Sequence, residues 1–161
     1  MRMMRGFAIL LLIGMANGAD APELKEGLWS IHRQTIENPG NKKIEGTQTI
    51  CRSHAYDQHA QEVAKNVKGC TMVSDSFQGG KRVTELRCTI GSTVLDTKGT
   101  VVFQGDTSAH GEDHTTYTPA MNGISESTMI QDQKYVGSCP AGVQPGDITN
   151  PDGRVIHTWK H

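Results

Sequence analysis

Alternation of apolar and polar residues runs through most of the chain and predicts β-strands. Before residue 52 it predicts strands at 28–36 and 46–51, separated by a turn-rich loop at 37–41. Further along, the same alternation predicts strands at 70–77, 81–90, 93–105, 114–118 and 125–137. Many strands joined by short turns predict a meandering antiparallel sheet, which must curl into a partial barrel to bury one face.

One segment, 53–69, has helical spacing instead. Its apolar positions recur at i, i+4, i+7, i+8 and i+11, and are Tyr56, Ala60, Val63, Ala64 and Val67. Ser53 is placed to cap the first turn, and Gly69 is placed to end the helix. The predicted fold class is therefore mainly β, α+β at most, with one helix near 54–68 whose narrow apolar face packs on the sheet.

A hairpin is predicted around the turn residues 78–80, and its register matters for the cysteines. With a three-residue loop, Phe77 lies opposite Lys81, and Cys70 then lies opposite Cys88 on the apolar face. A two-residue turn at the two glycines would place the two cysteines on opposite faces of the hairpin. We therefore expect the three-residue loop.

Four cysteines, an even number, predict two disulfides in an exported domain. The count alone allows three connectivities. The hairpin register favours Cys70–Cys88, and elimination then leaves Cys51–Cys139. A zinc site is the less favoured interpretation, because zinc ligands usually come in closely spaced pairs and these cysteines are far apart in the chain.

The beginning of the chain has the layout of a secretory signal peptide. Arg2 and Arg5 precede an apolar run at 6–16, and small residues surround a cleavage site after Gly18. We therefore expect residues 1–18 to be removed on export. The apolar run is shorter than the roughly 20 residues that span a bilayer, so we expect a protein that does not span the membrane.

Length and composition fit one domain, predicted at 19–147, followed by an irregular tail at 148–161 that could end in a small hairpin. The formal net charge of the 161 residues is −1 at pH 7. The adjacent basic residues, Lys42-Lys43 and Lys81-Arg82, are isolated pairs and form no basic patch. We therefore expect no nucleic-acid partner.

His110 and His114 are the most tempting metal ligands. On a continuous strand, residues four apart are about 13 Å apart at roughly 3.3 Å per residue, so a shared metal would need a tight turn at 111–113. A polar hairpin tip is expected there, with no metal site and no cofactor. Glu112 and Asp113 are adjacent and would face opposite sides of a strand, so they form no acid–base pair. No nucleophile motif is present, and no catalytic residue is predicted.

Spaced landmarks resemble a known family. They are Gly27-Leu28-Trp29, Thr49-Ile50-Cys51, Cys70, Cys88, Gly137-Ser138-Cys139-Pro140 and Pro145-Gly146-Asp147. Together they resemble an exported Gram-negative family known as domain of unknown function family 3617, over about residues 24–147. The resemblance implies a periplasmic β-rich domain. It implies no catalytic residues, because the function of that family is uncharacterised.

A curled sheet often leaves a concave apolar space, which favours a non-enzymatic binding module for a small apolar ligand. Trp29 could line such a space, although a buried core position is the more frequent role of a lone tryptophan on a strand. The alternative is an interaction module that binds an envelope protein through a sheet edge or face. A contiguous exposed apolar patch would favour that alternative.

Overall fold

The computed structural model describes residues 22–159, so the predicted signal peptide lies outside the described residues. The elements in chain order are β1 (Gly27–Asn38), β2 (Lys42–Arg52), α1 (His54–Lys65), β3 (Cys70–Gln78), β4 (Lys81–Ile90), β5 (Thr93–Gln104), β6 (Ser108–Met121), β7 (Ile124–Gly137), β8 (Asp147–Thr149) and β9 (Val155–His157). All strands of the described range form one open antiparallel sheet in the order β3-β4-β5-β6-β7-β1-β2-β8-β9. The predicted fold class is confirmed.

The sheet curls towards one face. Residues from strands far apart in the sheet order, Trp29 and Ile31 of β1, Phe103 of β5 and Ile148 of β8, belong to one buried cluster. Such strands share a core only if the sheet bends towards it, as in the predicted partial barrel. We call this side the concave face and the opposite side the outer face. Trp29 is completely buried in the core.

The helix starts where predicted and ends earlier. The Ser53 hydroxyl oxygen accepts a hydrogen bond of 3.1 Å from the backbone N–H of Tyr56. Asn66 caps the other end, where its backbone N–H donates to the carbonyls of Glu62 and Val63. The chain therefore leaves the helix before Gly69, because the asparagine cap ends it first.

The predicted packing face of α1 is correct only for its first half. Tyr56 and Ala60 are buried, as is the polar Gln61. By contrast, Val63 and Val67 are 53% and 41% exposed. The helix meets the core through its first turns, and Val67 follows the helix end, so the sequence spacing overstates the contact.

The predicted loop of the β3–β4 hairpin is wrong, although the predicted cysteine pairing is present. Gly79 and Gly80 form a two-residue turn with positive φ angles of 60° and 75°, as type I′ turns require. Phe77 consequently pairs with Arg82, one position away from the predicted partner. Val73 then forms a bulge, and this second shift of one residue places Cys70 opposite Cys88 again, as their disulfide requires.

The second disulfide joins Cys51 to Cys139, the pairing left by elimination. Cys51 lies near the end of β2, and Cys139 follows β7. The bond therefore ties the chain that enters α1 to the chain that leaves the last long strand.

Two further expectations are corrected by the strands themselves. The segment from His110 to His114 is the middle of β6 and not a hairpin tip. The tail from residue 148, expected to be irregular with a small hairpin possible at its end, forms such a hairpin from β8 and β9. The hairpin joins the sheet, where Ile148 pairs with Ile50 of β2. Strands of three residues are too short for alternation to reveal them.

Candidate functional site

Polar side chains interrupt the apolar core in the middle of the concave face. We call five of them the polar cluster: Arg33 of β1, Thr97 of β5, Asp113 and Thr115 of β6, and Gln131 of β7. Backbone register brings them together, because Arg33 pairs with Gln131 and Thr97 pairs with Thr115. Paired residues of neighbouring strands point to the same face of a sheet, so the cluster crosses four strands on one side.

Most members of the polar cluster are paired with one another. The guanidinium of Arg33 donates from Nε and Nη2 to Oε1 of Gln131, at 3.0 and 2.8 Å. The hydroxyls of Thr97 and Thr115 are 2.8 Å apart and share a hydrogen bond. Gln131 is only 2% exposed. Burial lowers the pKa of Arg33, and the nearby carboxyl of Asp113 opposes that shift.

Asp113 differs from the other members. Its side chain is 5% exposed, and its Oδ2 is buried with no hydrogen-bond partner among the described residues. Burial raises the pKa of Asp113 from 3.8 to about 6, Arg33 acts in the opposite direction, and Glu112 raises it further. A buried acceptor without a donor is rare in folded proteins and is a common feature of functional sites.

Gly99 makes room for this carboxyl. It pairs with Asp113 across β5 and β6. A Cβ atom at position 99 would overlap Asp113 Oδ1 and would lie 2.9 Å from Oγ1 of Thr84. The absence of a side chain at Gly99 therefore lets the Asp113 carboxyl lie over the strand.

A second polar group lies closer to α1, and its side chains are bonded to one another. Arg52 donates to Oδ1 of Asp57 at 3.0 Å and to Oε1 of Gln133 at 2.9 Å. Its guanidinium also lies 5.2 Å from the centre of the Trp29 ring. Burial raises the pKa of Asp57, against the opposing effect of Arg52. This group holds the first turn of α1 on the sheet, and Asp113 Oδ2 remains the one buried side-chain atom without a hydrogen-bond partner among residues 22–159.

The two histidines considered as metal ligands lie on the outer face. His110 Nδ1 is 2.6 Å from Asp132 Oδ1, and His114 Nδ1 is 3.3 Å from Thr128 Oγ1. Within residues 22–159 no three His, Cys, Asp or Glu side chains converge as a metal site would require. As alternation predicts, Glu112 is exposed and Asp113 is buried.

Sequence reasoning did not find the polar cluster as a site. Arg33 and Gln131 look like ordinary polar residues of amphipathic strands, where polar side chains normally face water. One signal in the sequence could have revealed it. The alternate positions of β6 that face the core include Gly111, Asp113 and Thr115 and are not apolar. Polar residues at the inward positions of a strand indicate a polar patch on the buried face of the sheet.

Among the described residues, no helix has the length and apolar character needed to cross a bilayer.

A family model described as protein of unknown function (DUF3617) matches residues 24–139, well over half of the chain. These residues include every member of the polar cluster. No curated protein matches the chain.

Proposed function

The chain belongs to the DUF3617 family of unknown function, and we propose that it is an exported, periplasmic, non-enzymatic binding module whose concave face holds a small, largely apolar ligand. The observation that carries this proposal is the composition of the concave face. Apolar core residues lie beside a small polar cluster in the middle of an open sheet. Small-molecule sites typically have this make-up, with a few polar groups that fix the ligand's orientation.

The apolar part of the proposed site lies on one side of the polar cluster. Phe103 and Val101 of β5 and Ala109 of β6 are buried there with Ile31. The ring centre of Phe77 is 6.0 Å from that of Phe103 and extends this surface to β3. A ligand with an apolar body could lie along these side chains while its polar end reaches Asp113.

Export is supported by two independent features. Arg2, Arg5 and the apolar run at 6–16 have the arrangement of a signal peptide. All four cysteines are paired in disulfides, which persist in oxidising compartments such as the periplasm. Sequencing of the mature protein should begin at Ala19, and a mature protein that retains Met1 would contradict export with cleavage.

An envelope protein-interaction module remains the second candidate. It is favoured by exposed apolar residues on the edge strand β3, where Met72 is 43% and Val73 is 58% exposed. The bulge at Val73 acts against it, because bulges on edge strands usually prevent pairing with another chain. The concave face is therefore the better-supported binding surface.

Native mass spectrometry of protein purified from the periplasm tests the proposal. The wild-type protein should retain a small molecule that is released on denaturation. In Thr97→Phe, a larger side chain occupies the concave face, and the bound mass should be lost. Lys98→Phe places a phenylalanine at the neighbouring position on the outer face and should retain the mass. A wild-type protein that carries no small molecule but co-purifies with a stoichiometric protein would favour the interaction module.

A further inference from the structure

Within residues 22–159, one buried side-chain atom lacks a hydrogen-bond partner, and it is Oδ2 of Asp113. We propose that the polar cluster recognises its ligand through a neutral hydrogen-bond donor, a hydroxyl or an amide N–H, which binds Asp113 Oδ2. This inference rests on the proposed function and specifies the chemical group that the concave face selects.

The missing partner is a donor because of what the other cluster members already do. Arg33 directs two N–H groups to Gln131, and the two threonine hydroxyls bond to each other. An ionised carboxylate can only accept hydrogen bonds. Leaving such an acceptor buried and unpaired costs free energy, which a donor from a ligand would recover. An ether or ester oxygen would meet Asp113 Oδ2 as a second acceptor and would be rejected.

The donor is neutral because the cluster already contains a cation. The Arg33 guanidinium acts on Asp113 from β1, and Glu112 acts on it from its own strand. The neighbouring strands β4, β5 and β7 contribute uncharged residues to the same row, namely Thr84, Gly99 and Met129. At the β3 end of this row, Asp75 is paired with Arg82, which lies in the neighbouring row of β4. A ligand ammonium would be attracted by Asp113 but repelled by Arg33, and it would lose its hydration in a buried site, so its charge would bring no net gain in affinity.

The position of the carboxyl is fixed before any ligand binds. Gly99 gives the Asp113 side chain its place over β5, and a Cβ atom there would displace it. A group held in this way needs little ordering when the ligand arrives, and this improves discrimination between similar ligands.

A matched set of probes tests the inference: 1-octanol, its methyl ether and octylammonium. These share an apolar chain and differ in the polar end. Dissociation constants measured by calorimetry at pH 7.5 should be about tenfold or more lower for the alcohol than for the ether, as expected for one hydrogen bond to a charged group. Octylammonium should bind more weakly than the alcohol.

Two variants locate the effect. In Asp113→Leu the alcohol and the ether should bind with equal affinity, because the acceptor is gone and the apolar surface remains. Asp132→Leu, on the outer face of β7, should keep the wild-type preference. If Asp113→Leu does not fold, the wild-type protein still supplies the test: the preference for alcohol over ether should shrink between pH 7.5 and pH 5, as Asp113 is protonated.

The outcomes separate this inference from the proposed function. Equal affinity of wild type for alcohol and ether would show that no ligand donor binds Asp113, as when a water molecule satisfies it, and would overturn the inference. Tighter binding of octylammonium than of octanol would also overturn it. If neither the alcohol nor the ether binds, the apolar binding surface itself is contradicted.

Discussion

Asp113 lowers the stability of the folded protein at neutral pH. Its folded pKa of about 6 is above the ordinary value of 3.8, so the folded state holds the proton more tightly than the unfolded state. Stability is therefore lost as pH rises from about 4 to about 6, and the loss levels off once the folded protein is also ionised.

Replacing Asp113 with asparagine should remove this pH dependence. The free energy of unfolding of Asp113→Asn, relative to that of wild type, should be roughly 1 kcal/mol higher at pH 8 than at pH 5, because only wild type loses stability between pH 5 and its folded pKa of about 6. Urea denaturation across this pH range measures it. Asp106→Asn, a change in the exposed β5–β6 turn, serves as the control. A pH-independent difference between Asp113→Asn and wild type would contradict the raised pKa.

Gly99→Ala should destabilise the protein by about 1–3 kcal/mol, because the new methyl group overlaps the Asp113 carboxyl and crowds Thr84. Gly46→Ala is the matched control, since Gly46 also lies in a strand and nothing lies within 4 Å of its Cβ position. Thermal denaturation distinguishes the two variants. Combining Gly99→Ala with Asp113→Ala should recover part of the loss, whereas strictly additive effects would show that the two residues do not interact.

At the residue scale, the sequence predicts which side chains share a face of a strand but not which face is buried. It placed Glu112 and Asp113 on opposite faces of a strand, and one is exposed while the other is buried. It could not predict which face would be covered, because that depends on the curvature of the whole sheet. The pairing of Arg33 with Gln131 joins residues 98 positions apart, and no local pattern predicts such a contact.

At the element scale, the β3–β4 hairpin has the predicted cysteine pairing but not the predicted three-residue loop. The apolar pattern and the two cysteines required one particular register near the disulfide. A three-residue loop would produce that register, but the structure produces it with a two-residue turn and a bulge at Val73. The sequence pattern limits how many extra residues β3 has between the turn and the disulfide. It does not show where they lie, because one extra residue shifts the cysteine register equally at any position there.

Deleting Val73 should therefore leave the disulfide intact. Without the extra residue, Met72 still pairs with Leu86, and Cys70 still lies opposite Cys88. Val73 is 58% exposed, so little burial is lost. The straightened edge strand should associate with other copies more readily, because bulges protect edges. Sedimentation velocity should show a larger oligomeric fraction than in wild type.

Thiol titration checks the register behind this prediction. The deletion variant should show no free thiols. Inserting an alanine between Met72 and Val73 should shift Cys70 by one position relative to Cys88 and leave both cysteines free to react. Free thiols in the deletion variant would show that the bulge does not set the register.

At the scale of the whole molecule, the meander and its fold class follow from the sequence, but the sheet order does not. The strands from β3 to β7 are neighbours both in sequence and in space, as a meander predicts. The placement of β1 beside β7 depends on pairing between distant segments, such as Trp29 with Tyr135. The family match ends at residue 139, yet the chain beyond it also contributes to the core.

The C-terminal segment should therefore contribute measurably to global stability. Ile148 of β8 is 5% exposed, packs in the core cluster and pairs with Ile50. Ile148→Ala should lower the free energy of unfolding by about 2–5 kcal/mol, a large part of the roughly 5–15 kcal/mol of a typical domain. Chemical denaturation measures this loss.

Ile156 of β9 provides the matched control for Ile148. The two isoleucines pair with each other across β8 and β9, but Ile156 is 47% exposed. Ile156→Ala removes the same atoms from the edge of the sheet and should change stability by less than about 1 kcal/mol. If both variants lose the same small amount, residues after 147 are an appendage, as the sequence alone predicts. A large loss for Ile148→Ala only would place the end of the chain inside the folding unit, because only a side chain that completes a shared core leaves a costly cavity when it is truncated.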